Sequence, residues 1–188
     1  KGATCLPPEE NRCLISLSDG GKDAVTIREF DRATKTFVAD GFVLPESKGD
    51  ATWVDGDTLL ISRDFGEGSM TSQAETVFPG QPDDVSVSGY TLRDADGAVQ
   101  AVLINRGVTF YEGETWRLNP DGTTTQLALP AKSNINALVQ GQMVVSVKQD
   151  WTAPSGQEFH TGDVIAWPLE AWLADGPVRE RPGRRLCL

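Results

Sequence analysis

The chain has 188 residues and a mass of 20.3 kDa, enough for one domain with a real core or for a piece of a larger one. With 39% hydrophobic and 23% charged residues it is neither a disordered tail nor a membrane protein, and no apolar run approaches the length of a bilayer-spanning helix. A net charge of −10 argues against nucleic-acid binding, which needs clustered Lys and Arg, and the single basic cluster, Arg179 to Arg185, reads as a solvated tail.

The start, KGATCLPPEENRC, has no apolar segment and does not read as a signal peptide; without an initiating Met it reads as a processed or excised chain. From there the hydrophobic period is close to two. Strands are expected at Cys13–Leu17, Val25–Phe30, Thr58–Ser62, Val85–Tyr90, Val99–Ile104, Thr115–Leu118, Thr124–Leu129, Met143–Val147 and Val164–Trp167. Glycine turns separate them: Asp19-Gly20-Gly21, Asp55-Gly56-Asp57, Asp96-Gly97, Asn119-Pro120-Asp121-Gly122 and Gln140-Gly141-Gln142. Only Pro168–Leu173 (PLEAWL) looks helical, so the fold class is all-β.

A repeat runs through these elements. ATWVDGDTLLIS, TLRDADGAVQAVLI and NALVQGQMVVSV share the order strand, glycine turn, apolar strand, with Gly56, Gly97 and Gly141 spaced by 41 and 44 residues. The hairpin GETWRLNPDGTTTQLALP adds two more strands between the second and third. Four antiparallel strands per unit of 40–50 residues is the pattern of a β-propeller blade, ahead of a β-sandwich. Units at about 84–130 and 133–173, with incomplete ones before them, make residues 1–188 part of one β-propeller, an incomplete set of three to four blades.

Chemistry is sparse. No G-x-S-x-G nucleophile elbow occurs; Gly66-Glu67-Gly68-Ser69-Met70 lacks its spacing and reads as a loop. His160, the single histidine, sits in what reads as a turn. The acids Asp50, Asp55 and Asp57, Asp83 and Asp84, and Asp94 and Asp96 lie at turns, where Asp bonds its own backbone; a glycosidase built on such pairs is a minor alternative. Trp53, Trp116, Trp151, Trp167 and Trp172 are expected in packing between blades. Cys5, Cys13 and Cys187 are odd in number and lack C-x-x-C spacing, so reduced thiols and a cytoplasmic location are expected, with a Cys5–Cys13 bridge and the periplasm as alternatives. No catalytic, cofactor-binding or metal-binding residue is assigned.

Several stretches resemble bacterial members of the prolyl oligopeptidase family of serine peptidases, within their N-terminal β-propeller: KGATCLPPEENRCLISLSDGGKDAVTIREFD, FVADGFVLPESKGDATWVDGDTLLISRDFGEGSMT, TVFPGQPDDVSVSG and VSVKQDWTAPSGQEFHTGDVIAW. The resemblance implies a seven-bladed propeller joined to an α/β-hydrolase domain. That domain would carry a Ser-His-Asp triad, cleaving after proline in short peptides, and the propeller would gate it. The hydrolase domain is absent from this chain, so no triad position carries over and the expected partner is that domain. After Ser72 such relatives carry a further Tyr-, Arg- and Trp-containing segment where this chain passes straight to Gln73-Ala74-Glu75-Thr76, through a deletion or through a loop missing from the sequence. The alternative function is a free-standing β-rich binding module for a protein or glycan.

Overall fold

The fold is seen in a computed structural model, which describes residues 2–63, 73–74 and 85–173. Among the described residues it is all-β, with one short helix. The first sheet comprises β1 (Gly2–Cys5), β2 (Arg12–Leu17), β3 (Val25–Asp31), β4 (Thr36–Phe37) and β5 (Val43–Ser47); β4 and β5 both pair with β3. The second holds β6 (Gly49–Trp53), β7 (Leu59–Arg63) and β8 (Gln73–Ala74). The third runs β9 (Ser86–Arg93), β10 (Val99–Gly107), β11 (Gly113–Leu118) and β12 (Thr124–Gln126) in simple meander order. In the fourth, β13 (Ser133–Val139) and β14 (Gln142–Val147) are followed by a small hairpin, β15 (Trp151–Thr152) and β16 (Glu158–Phe159), before β17 (Val164–Pro168) returns beside β14; α1 (Leu169–Leu173) closes the described chain.

The expected strands are all present, and their ends differ for local reasons. β9 runs on to Arg93 and β10 to Gly107 because their ladder continues at both ends, to Val99↔Arg93 and to Gly107↔Ser86. β12 stops at Gln126, since Leu127 still donates to the Thr115 carbonyl but Ala128 turns to that of Trp172. Alternation sets the faces: Val25, Ile27 and Glu29 of β3, Met143, Val145 and Val147 of β14, and Ile165 and Trp167 of β17 all point inward. The turn between β2 and β3 uses Gly20 and Gly21 at φ of 60° and 81°, a conformation costly for residues with a Cβ.

Cores form between successive sheets. Leu14, Val25, Ile27, Ala51 and Trp53 join the first to the second, and the largest cluster, including Leu103, Met143, Val145, Trp167 and Trp172, joins the third to the fourth. Three of the five tryptophans, Trp53, Trp167 and Trp172, lie in these cores. Gly89 of β9 faces Leu60 of β7 so closely that a Cβ would overlap the leucine side chain. The first strands of consecutive sheets touch, β1 with β6, β6 with β9 and β9 with β13. β1, β6 and β9 also end together: the Trp53 indole at the end of β6 donates to the Thr4 carbonyl near the end of β1, and Arg93 at the end of β9 donates to the Trp53 carbonyl.

One expectation is overturned. Cys5 and Cys13 are not free thiols but form a disulfide. Register explains it: the antiparallel β1–β2 ladder sets Cys5 directly opposite Cys13, which a count of cysteines cannot reveal. Cys187, like the Arg179 to Arg185 cluster, lies outside the described residues. The bond closes a loop between residues eight apart in sequence and ties β1 to the sheet. Peptide mapping without reductant should recover Cys5 linked to Cys13. Reduction should lower stability by about 2–3 kcal/mol in denaturant titration, the amount expected from closing a loop this short; three free thiols in the unreduced, denatured protein would contradict the assignment.

Candidate functional site

Reactive groups are dispersed and engaged locally. His160 is exposed, with Nδ1 3.8 Å from Asp150 Oδ2. Its backbone N–H donates to Asp163, and Thr161 donates to Asp150 through both N–H and hydroxyl. These donors from Thr161, assisted by His160, hold the Asp150 carboxyl below its usual range despite the small opposing effect of burial. The pair is a turn lock on the surface. The other turn acids behave likewise: Asp55 accepts from the Asp57 N–H, Asp94 from the N–H groups of Asp96 and Ala98, and Asp121 from both donors of Thr123. Asp50 is not at a turn as expected but within β6 opposite Ser62, where its carboxylate accepts from the N–H of Ala51. Asp83, Asp84, the Gly66–Met70 stretch and the junction after Ser72 fall outside the described residues. Among the described residues no group of three or more His, Cys, Asp or Glu could hold a metal ion.

What the structure does bring together is an arginine-stitched node at one end of the first three sheets. Glu29 is 2% exposed, on the face of β3 that alternation assigns to the core. Arg12 Nε of the adjacent β2 donates to Glu29 Oε1 at 2.6 Å, and the Phe42 N–H donates to Oε2 at 3.0 Å. Burial pushes the Glu29 carboxyl up, but these donors and the Arg12 charge outweigh it, so its pKa lies below the ordinary value. The Arg12 guanidinium also reaches the Gly56 carbonyl at 2.8 Å and lies 5.2 Å from the Trp53 ring centroid. Arg93 adds the third sheet, donating to the carbonyls of Trp53, Val54 and Gly97.

The opposite end is built differently. The connection from β10 to β11 closes through N–H donation from Val108 and Thr109 to the Glu112 carbonyl, and Thr109 Oγ1 accepts from the N–H groups of Tyr111 and Glu112. Gly113 donates to the Ala131 carbonyl, fixing the hairpin against the start of the fourth sheet. At its tip Phe110 is 86% exposed and Tyr111 82%. Below them a cleft of about 210 Å³ is lined by polar groups of Ser86, Asn105, Thr109, Glu112 and Ser133. This tip is the strongest candidate contact site among the described residues. The sequence reading passed over it because an aromatic pair, Val-Thr-Phe-Tyr-Glu-Gly, stood where turn residues are expected. Glu29 was passed over too, although strict alternation from Val25 and Ile27 reaches it directly.

Among the described residues the fold is all-β and the polar groups are dispersed and engaged in local bonds. No family model matches. An uncharacterized peptidase of Sinorhizobium fredii is 41% identical over 202 residues, covering 97% of this chain and 28% of that protein. An uncharacterized peptidase of Rickettsia prowazekii is 35% identical over 80 residues, covering 38% of this chain and 11% of that protein. A solved structure of a post-proline cleaving enzyme from Rickettsia typhi superposes with a TM-score of 0.80 at 20% identity, covering 97% of this chain and 30% of that one. The chain is therefore similar to part of two peptidases, shares its fold with part of a third protein, and spans under a third of the length of the relatives it matches. The Sinorhizobium match runs over 202 positions against 188 residues here, so that relative carries residues without a counterpart in this chain.

The node yields a stability prediction. Arg12→Ala strands the Glu29 carboxylate in an apolar wedge and should cost about 2–4 kcal/mol, short of a fully buried pair because Arg12 is partly exposed. Glu29→Gln should cost less, since an amide still accepts from Arg12. Because the folded pKa of Glu29 is depressed, its contribution is complete above the unfolded value of about 4.3 and is lost as pH falls through the folded value. Urea titrations should show the gap between wild type and Glu29→Gln closing as pH falls below about 4; a gap independent of pH would refute the charge pairing.

Proposed function

We propose that this chain is the non-catalytic propeller portion of a prolyl-oligopeptidase-like serine peptidase. It gates the access of short peptides to a Ser-His-Asp site on an α/β-hydrolase domain of the same protein. The observation that carries the reading is the Sinorhizobium match: nearly the whole of this chain aligns at 41% identity with just over a quarter of a peptidase. That leaves most of such a protein to carry the chemistry. The superposition on a post-proline cleaving enzyme supports the same fold, and the first strands β1, β6 and β9, ending together, favour blades arranged around an axis. A wall of stacked sheets over an acyl-transfer site would admit small unfolded peptides and exclude bulk water. The four sheets described here would supply part of such a ring, residues 1–188 forming one portion of the propeller domain.

The Cys5–Cys13 bond bears on location. Disulfides persist in oxidising compartments, so the bond favours the periplasm over the cytoplasm as the working compartment.

The test is hydrolysis of a proline-containing chromogenic peptide by the whole parent polypeptide and by residues 1–188 alone. The whole protein should release chromophore in a reaction blocked by a serine-directed reagent, and should cleave short peptides while sparing folded proteins. The 188-residue chain should be inert; turnover by it that survives purification, or inertness of the whole protein, would overturn the reading.

A further inference from the structure

We propose that the end of the sheets carrying Phe110 and Tyr111 is the face on which the remainder of the peptidase polypeptide docks. This rests on the reading that the chain is part of a longer peptidase. Ladder registers sort the connections into two ends. At one lie the turns Val54–Thr58, Asp94–Ala98, Asn119–Thr123 and Val139–Gln142, each short. The first three close through backbone bonds and aspartate or asparagine side chains, and Arg12 and Arg93 cap further carbonyls there. That end has spent its polar groups on itself. At the other end, where Ser86 pairs with Gly107 and Ser133 with Val147, stand the Phe110–Tyr111 tip and the β15–β16 hairpin with its stacked Trp151 and Phe159 rings, 5.6 Å apart.

The tip has the makings of a binding anchor. Two adjacent aromatic side chains, each more than four-fifths exposed, are carried on a turn closed by its own bonds, so little backbone freedom remains to be lost on contact. Polar groups of the cleft beneath, and the Lys132–Glu112 pair at 3.4 Å, form a hydrophilic rim around them. The charge and size of the chain decide the occupant. A second copy would bring another net charge of −10 to the contact. The rest of the polypeptide, by contrast, is more than twice this chain in the relatives, which the chain covers to only 28% and 30%, and it is tethered. Tethering makes the contact intramolecular, so a small aromatic anchor is enough.

The experiment is site-specific photocrosslinking in the whole parent protein, with benzoylphenylalanine in place of Phe110 and, in a separate variant, of the exposed Val139 at the opposite end. Irradiation should link position 110, and not position 139, to residues outside the 188-residue segment, mapped by mass spectrometry of the monomer. Links from 110 only between two copies, links confined to this segment, or outside links from 139 alone would overturn the assignment. A Phe110→Ala, Tyr111→Ala double variant of the whole protein should lower the temperature at which the two parts unfold together, or split that transition in two; an unchanged transition also counts against docking. Post-proline hydrolysis is read in parallel. Intact hydrolysis with failed crosslinking sinks the docking face alone, and failed hydrolysis with outside links from 110 sinks the peptidase reading alone.

Discussion

A carboxylate placed in an apolar wedge must be met by a cation, and the way this chain meets that demand organises its first three sheets. The two-residue period of β3 delivers Glu29 to the core side beside Val25 and Ile27. Desolvating an ionised carboxylate costs several kcal/mol unless donors replace the lost water. Arg12 on the neighbouring strand supplies the charge, and the Phe42 N–H supplies a second donor. Because a guanidinium has five N–H donors in a rigid plane, Arg12 can serve Glu29 and still reach the Gly56 carbonyl in the turn of the next sheet. Trp53 lies under that plane, and its own indole N–H goes to Thr4. One ionic requirement thus fixes the angle at which the second sheet meets the first.

Arg93 extends the pattern by a sheet. Burial lowers its pKa somewhat, with Asp55 opposing, yet it keeps its charge and uses it on three carbonyls at the strand ends. Carbonyls at the end of a strand have no ladder partner, and a stack of sheets tends to leave them facing one another. Arginines crossing from sheet to sheet satisfy them without adding backbone. The third and fourth sheets need no such device, since a continuous apolar layer from Leu103 through Met143 and Val145 to Trp172 joins them. Before β9 the stack therefore combines apolar burial with arginine stitching, and after it the apolar layer is continuous.

Much of the fold was legible because alternation and glycine turns report strands directly, and Gly56, Gly97 and Gly141 do fall in turns at one shared end. β1, β4, β5, β8, β15 and β16 were missed for physical reasons: GATC shows no apolar alternation, β5 carries a proline, and the other four are two residues long. The disulfide was misjudged because pairing depends on register between strands, and one of the two strands had not been identified. Alternation from Val25 and Ile27 leads to Glu29 and not to the more apolar Phe30 beside it. Phe30 in fact turns to the other face, where it packs edge-on against Phe37 with ring centroids 5.4 Å apart. Exposure of Phe110 and Tyr111 is a property of the assembled end of two sheets, and no local pattern encodes it.

Among the described residues the polar groups are engaged by the same economy. A histidine that serves as a catalytic base needs an oriented carboxylate on one nitrogen and a nucleophile on the other, shielded from bulk water. His160 has a loosely placed Asp150 and is open to solvent, while that carboxylate is already committed to Thr161. The turn acids Asp55, Asp94 and Asp121 are spent in the same way on N–H groups two to four residues further along their turns, which ties the loops down. Polar atoms used to hold strands in place cannot also be poised to react. The described residues form a stack of sheets closed by its own bonds at one end and presenting aromatic surface at the other.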